Sequence, residues 1–202
     1  MDKYELRHAI YRGLWHFIGG SIIAVATILL PNTQVLIYLS IVTMFFLSFE
    51  FLRFKSGKIN NWFINNLRFL VRTKEKSSFV GSTYFLLSSV FVIALFSREI
   101  SVLAIFFLSL GDPAATIFGG LWGRTKFPNG KSLEGSLACL FLCLIIGFII
   151  QWAAVLSVTV PIIIGGSIAA TLSEFFFFKM NDNLAMPISA ASVMWILQSL
   201  GV

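Results

Sequence analysis

Apolar residues run along this chain in long blocks separated by short polar segments. The blocks approach the roughly 20 residues that a helix needs to cross a bilayer. Seven such runs, near residues 14–30, 34–52, 79–97, 100–122, 134–153, 158–178 and 184–200, predict seven transmembrane helices. The segment between the second and third is different. Across residues 59–70, Ile59, Trp62, Phe63, Leu67 and Leu70 recur at helical spacing, while Asn60, Asn61 and Asn65 fall largely opposite. That pattern predicts an amphipathic helix lying in the membrane interface, and residues 1–12 are a second candidate of the same kind. The expected fold is an all-α, polytopic helical bundle forming a single membrane-embedded domain.

Composition agrees with this reading. Of the 202 residues, 57% are hydrophobic and 12% charged, against roughly 25% charged in a soluble domain. The mean hydropathy is +0.88, so most of the surface is built to face lipid. The net charge of +6 arises from basic residues in the polar segments. With the N-terminus in the cytoplasm, all of the 15 Lys and Arg residues except Arg98 fall on the inner side, as the positive-inside rule requires. The charge therefore reports topology, and no nucleic acid is expected as a partner. The first apolar run is long and lacks a small-residue cleavage site, so no removable signal peptide is expected. Cys139 and Cys143, the two cysteines, lie one turn apart in one run with no further thiol to complete a metal set; apolar packing is the expected role. The pattern indicates no particular oligomeric state.

Acids inside apolar runs carry more information, because a carboxylate in the hydrocarbon core costs about 2.5–3.5 kcal/mol on insertion scales. Glu50, Asp112 and Glu174 each lie in the cytoplasmic half of a different predicted span. His16, Asp182 and Asn183 fall at similar depth. Glu50 has Arg53 one turn on as a ready partner, and Glu174 has Lys179 nearby. Asp112 has no basic residue within a turn. Its helix carries Gly111, Ala115, Gly119 and Gly123 at every fourth position, a stripe that lets a neighbouring helix approach closely. Pro113 removes one backbone donor beside the acid and bends the helix or frees a carbonyl there.

The segment that follows, Gly123 to Ser136, predicts an ordered turn from its Gly and Pro residues. Ser132 is a suitable N-cap for the next helix. The free N–H groups of that helix start favour phosphate, Lys131 adds a point charge, and Arg124 and Lys126 complete an anion clamp. The segment is not a Walker A loop, since Thr125 stands where that motif requires Gly and no soluble strand precedes it.

These residues resemble the CTP-dependent polyprenol kinases, a family that includes dolichol, phytol and farnesol kinases and CTP-dependent diacylglycerol kinase. The likeness rests on Leu110-Gly111-Asp112-Pro113-Ala114-Ala115, Gly119, Gly123-Arg124 and Pro128 through Ser136. It is supported by Arg7 to Gly19, by Arg72-Thr73-Lys74-Glu75 leading to Gly81-Ser82-Thr83-Tyr84, and by Glu174, Asp182-Asn183-Leu184 and Pro187. Pro113 stands where the family often has another small residue, and the chain lacks the accessory helices of dolichol kinases. The resemblance implies transfer of phosphate from CTP to the hydroxyl of a membrane lipid alcohol, with Asp112, Lys131 and Glu174 catalytic. Gly130, Lys131, Ser132 and Ser136 then join Arg124 and Lys126 around the phosphates. Mg²⁺ is expected between the triphosphate and Asp112 with Asp182 or Asn183, since it prefers hard oxygen ligands. His16, Glu50, Arg53, Arg72 and Glu75 are expected in support. A phosphatidate cytidylyltransferase is the alternative enzyme, although the C-terminal signature of that family is absent here. A small transporter or assembly factor is the alternative outside enzymes. Its polar residues would be expected through the full membrane depth, whereas the outer half of this chain has almost none.

Overall fold

The computed structural model describes residues 3–67, 71, 73–153, 155–176 and 180–202. Among these residues the chain forms eight α-helices and one 3₁₀ turn. They are α1 (Lys3–Leu29), α2 (Asn32–Lys55), α3 (Gly57–Asn66), the 3₁₀ turn (Thr73–Lys76), α4 (Gly81–Leu95), α5 (Arg98–Trp122), α6 (Leu133–Trp152), α7 (Val160–Phe176) and α8 (Asp182–Ser199). Each predicted apolar run is a helix. By length and composition, α1, α2, α5 and α6 are able to cross a membrane, which makes this a multi-pass membrane protein. The 15 residues of α4 extend only about 22 Å at 1.5 Å per residue. The 17 residues of α7 are also few, and α8 is diluted by Asn183, Ser189, Ser192 and Gln198.

One expectation is overturned at the N-terminus. Residues from Lys3 onward do not form a separate surface helix but continue without a break into α1. No Pro interrupts residues 3–12, and Gly13 alone is too weak a breaker to end the helix.

Helix α5 is the centre of the bundle. Ile100, Val102, Leu103, Phe107 and Leu108 are fully buried along it, and α1, α6, α7 and α8 pack around it. At its start Arg98 donates to the carbonyls of Ile28 (3.3 Å) and Leu30 (3.2 Å), the unpaired oxygens at the end of α1.

Helix α3 (Gly57–Asn66) overlaps the segment 59–70 read as amphipathic and has Ser56 as its N-cap. Phe63 is buried and Trp62 exposed. Leu70 and Arg68 lie outside the described residues. Asn60 departs from the expected polar face: it accepts from Arg53 (2.9 Å) and donates to the Lys76 carbonyl (3.2 Å). Arg53 is the reason. Its side chain is fully buried, so its donors must be matched inside the protein. Besides Asn60 it donates to Glu50 (2.7 Å) and to the carbonyls of Glu75 and Ser78. Glu50 in turn accepts from the Val80 amide (3.1 Å) and the Thr83 hydroxyl (3.2 Å). One buried ion pair thus fastens α2, α3 and the entry to α4 together.

Candidate functional site

The site begins with the small-residue stripe on α5. A Cβ added to Gly135 of α6 would lie 2.6 Å from the Ala115 carbonyl, and one added to Gly119 would lie 2.8 Å from the Ser132 hydroxyl. The two backbones therefore touch along Ala115, Gly119 and Gly135. Farther in, Gly111 leaves room for Met186, Cys139 and Cys143, and the two thiols are buried in apolar packing as expected.

Between α5 and α6 the chain makes a short hairpin. Lys126 and Ser132 pair as an antiparallel bridge. The Phe127 amide bonds to the Lys131 carbonyl (2.9 Å) and the Gly130 amide to the Phe127 carbonyl (2.9 Å). Gly130 has φ of +83°, a left-handed conformation that glycine adopts without strain. Asn129 fixes the turn to α7, donating to the Phe175 carbonyl (2.9 Å) while accepting from the Lys131 amide (3.0 Å). Ser132 caps α6 by accepting from the Gly135 amide (3.2 Å).

This geometry aims Lys131 at two acids from distant parts of the chain. Its ammonium lies 2.8 Å from Glu174 Oε1 and 3.2 Å from Asp182 Oδ1, and it also bonds the Glu174 carbonyl. Ser136 donates to the other Glu174 oxygen (3.4 Å). Burial alone would lower the Lys131 pKa, but the carboxylates of Asp182 and Glu174 outweigh it and raise the pKa above the ordinary lysine value. Asp182, ahead of the apolar run of α8, is pushed up to about 6 by burial and then by the nearby Asp112 carboxylate, with Lys131 opposing.

These residues enclose a polar cleft of about 430 Å³. Lys126, Gly130, Lys131, Ser132, Ser136, Glu174 and Asp182 all line it. Arg124 is exposed on the turn and does not line the cleft.

Asp112 lies beneath the cleft, one turn before its lining residues Ala115 and Thr116, and is buried. On its other side Oδ2 is 3.7 Å from His16 Nδ1. Two close contacts between α1 and α5 produce this approach. A Cβ added to Gly13 would meet Pro113 at 3.0 Å, and one added to Gly20 would meet Ser109 at 2.4 Å. His16 stacks on Phe85 with ring centroids 5.5 Å apart, and its Nδ1 has no hydrogen-bond partner among the described residues. The ring lines a second cavity of about 600 Å³, apolar and walled by α1, α2 and α3.

Other expected residues sit elsewhere. Asn183 does not enter the cleft. Its amide donates to the Gly81 carbonyl (3.0 Å) and its own carbonyl accepts from Ser88 (2.7 Å), which ties α8 to α4. Glu50 and Arg53 belong to the buried fastening described above. Glu75 accepts from the Gly81 amide (3.0 Å). Arg72 lies outside the described residues. Sequence reasoning missed Glu5, Thr116 and Gly120 in the cleft wall. The latter two were available as the face of α5 one and two turns beyond Asp112.

The cleft sets Glu174 and Asp182 against the Lys131 ammonium, with Lys126 and Glu5 also in its wall. Among the described residues no three His, Cys, Asp or Glu side chains form a complete metal cage.

An all-helical, multi-pass bundle with a lysine-and-carboxylate cleft opening at one end defines the class of protein. The comparisons narrow it. The chain is 28% identical to CTP-dependent diacylglycerol kinase 1 of Schizosaccharomyces pombe over 142 residues, which cover 63% of this chain and 65% of that protein. It is 26% identical to CTP-dependent diacylglycerol kinase 1 of Saccharomyces cerevisiae over 147 residues, or 62% and 51% of the two chains. The uncharacterized protein RP860 of Rickettsia prowazekii is 25% identical over 183 residues, 88% and 89%. The matched stretches thus span less than two thirds of the length of either yeast kinase. No family model matches the chain, and no solved structure does. The likeness to CTP-dependent lipid kinases, read from the residues around Asp112 and Lys131, is borne out by these relatives.

Proposed function

We propose that this protein transfers the γ-phosphoryl group of CTP to the hydroxyl of a membrane lipid alcohol, an isoprenoid alcohol or a diacylglycerol. One observation carries the reading: Asp112 stands between a polar cleft built around Lys131 and an apolar groove bordered by His16. A water-borne donor and a lipid acceptor need that division of space. The relatives named as CTP-dependent kinases support CTP as the donor.

Phosphoryl transfer depends mainly on positioning and charge neutralisation. Lys131 and the start of α6 hold the triphosphate, with Lys126 at the rim. Asp182 would hold Mg²⁺, which would supply charge neutralisation to the phosphates when bound. The acceptor oxygen forms a bond to the γ-phosphorus as the bond to the bridging β–γ oxygen breaks, leaving CDP. The hydroxyl proton passes to Asp112, the acid nearest the groove. Glu174 is the weaker candidate base, since both its oxygens are engaged by Lys131 and Ser136. Its role is to position Lys131.

In this reading the seven apolar helices all span, and the N-terminus and cleft face the cytoplasm, as the basic residues favour. The test is purified protein with labelled CTP and a panel of lipid alcohols, with products identified by mass. CDP with a phosphorylated lipid is expected. Pyrophosphate with a CDP-lipid would instead identify a cytidylyltransferase, and no product at all would refute both.

A further inference from the structure

The polar cleft has a wall that the transfer step leaves unused. Helix α1 crosses α5 with Gly20 against Ser109 and Gly13 against Pro113 and Ile117. The two helices therefore run antiparallel, and the start of α1 passes the C-terminal end of α5. Because α1 continues unbroken from Lys3, it carries Glu5 eight residues beyond Gly13, or about 12 Å at 1.5 Å per residue. There Glu5 is exposed and forms part of the cleft wall. Helix α6 meets a different face of α5, with Gly135 against Ala115 and Gly119. At about 100° per residue, Thr116 and Gly120 fall between the face that meets α1 and the face that meets α6, and both line the cleft. Glu5 and the start of α6 thus stand on either side of a strip of α5 on which Gly119 and Gly120 carry no side chain.

An acid on this wall calls for a reason. Glu174 and Asp182 face the Lys131 ammonium at 2.8 and 3.2 Å. A carboxylate on the facing wall works against a triphosphate and favours a hydrogen-bond donor. With the γ-phosphorus beside Asp112 and the triphosphate on Lys131 and the start of α6, the rest of the nucleotide leaves past Thr116 and Gly120, toward Glu5. A planar base can lie flat on a helix surface bare of side chains. Cytosine carries a 4-amino group, a donor, where uracil has an accepting carbonyl, and an ionised carboxylate only accepts. We infer that this end of the cleft is the nucleobase subsite, in which Glu5 accepts a hydrogen bond from the 4-amino group of cytosine and so selects CTP over UTP. Lys131 holds the charge of the nucleotide, and Glu5 reads its base. The inference rests on the kinase reading above and names the residue that sets its donor.

The test compares three donors: CTP, UTP and the CTP analogue that lacks the 4-amino group. Each is offered with the lipid alcohol that turns over fastest in the panel above, and kcat/KM is measured for wild type, Glu5→Ala and Glu5→Gln. Glu5 is exposed, so neither substitution disturbs the core. Wild type should prefer CTP to both other donors by roughly 10- to 100-fold, the value of one good base contact. In Glu5→Ala the preference over the analogue should vanish, because the group that reads the amine is gone. In Glu5→Gln, whose amide also donates, CTP and UTP should approach parity. Equal losses with all three donors in Glu5→Ala would assign Glu5 to the phosphates, a metal or the fold, and overturn the inference. A wild type that uses CTP and UTP equally well, or prefers ATP, also overturns it and leaves phosphoryl transfer to a lipid standing. A wild type that makes no phosphorylated lipid from any nucleotide removes that reading and the inference together. Should the variants be inactive with every donor, binding decides. CDP should protect the wild type against thermal unfolding more than UDP does, and Glu5→Ala should be protected equally by the two. A variant that keeps the wild-type preference for CDP overturns the inference.

Discussion

Lys131→Met keeps the length and apolar stem of the side chain and removes only its charge. The wild-type ammonium makes two close carboxylate contacts, at 2.8 and 3.2 Å. A charge-assisted hydrogen bond contributes about 1.5–3 kcal/mol when buried, and an exposed ion pair about 0–1 kcal/mol. The Lys131 side chain is 23% exposed, with Glu174 at 7% and Asp182 at 20%. The Glu174 contact therefore falls between the limits and the Asp182 contact nearer the lower one, for a total of about 2 kcal/mol. By the scaling for a domain of this size, that is a fall of roughly 4–8 °C in Tm. A thiol-reactive dye provides the measurement, because the only two cysteines, Cys139 and Cys143, are fully buried and become reactive on unfolding. The functional effect should be larger than the structural one. Loss of one preorganised charge at a developing anion costs about 10²–10³ in rate. CTP with Mg²⁺ at about a hundred times its Kd should protect the wild type by about 2.7 kcal/mol and give the variant little protection. A Lys131→Met protein with wild-type turnover and wild-type protection by CTP would refute the assignment of this lysine to the phosphates.

Asp112→Asn, nearly isosteric, should lower turnover by about 10²–10⁴ with little change in melting and with CTP protection retained; a folded variant of full activity removes Asp112 from the chemistry. Asn183→Ala should lower stability by about 1 kcal/mol through its lost bond to Gly81 and leave the Mg²⁺ concentration dependence of activity unchanged, whereas a shift in that dependence would make Asn183 a metal ligand. Arg53→Met should destabilise by about 3–5 kcal/mol, since it strands the buried Glu50 carboxylate, and the dye assay reads this directly. Gly135→Ala should lower Tm through a clash with the Ala115 carbonyl costing about 1–3 kcal/mol; an unchanged Tm would show that α5 and α6 separate freely.

The helices were legible in the sequence because each apolar run is long and broken by few polar residues, and α3 because its period changes from that of its neighbours. The meeting of Lys131 with Glu174 and Asp182 was legible in outline, since acids at one depth on separate helices have few ways to avoid a common cleft. The partner of Lys131 was harder to name. Glu174 has Lys179 close in sequence, and only the fold sets Lys131, from another loop, against it. Asn183 was misplaced because its neighbour Asp182 faces the cleft, and adjacent helical residues point about 100° apart. The contact of His16 with Asp112 depended on Gly13 and Gly20 of α1. These glycines lie seven apart on the face of His16, a spacing readable only once the partner helix is known.

Arg98, at the far end of α5, bears on how topology is inferred from charge. Counted as a residue it argues against the orientation favoured by every other basic side chain. Its guanidinium is occupied by two carbonyls where α1 gives way to α2, so it serves as a cap and not as an anchor to anionic lipid headgroups. Deleting that positive charge should fray the end of α1 and leave the orientation of the whole chain untouched. A tally of loop charges is better weighted by what each cation already binds.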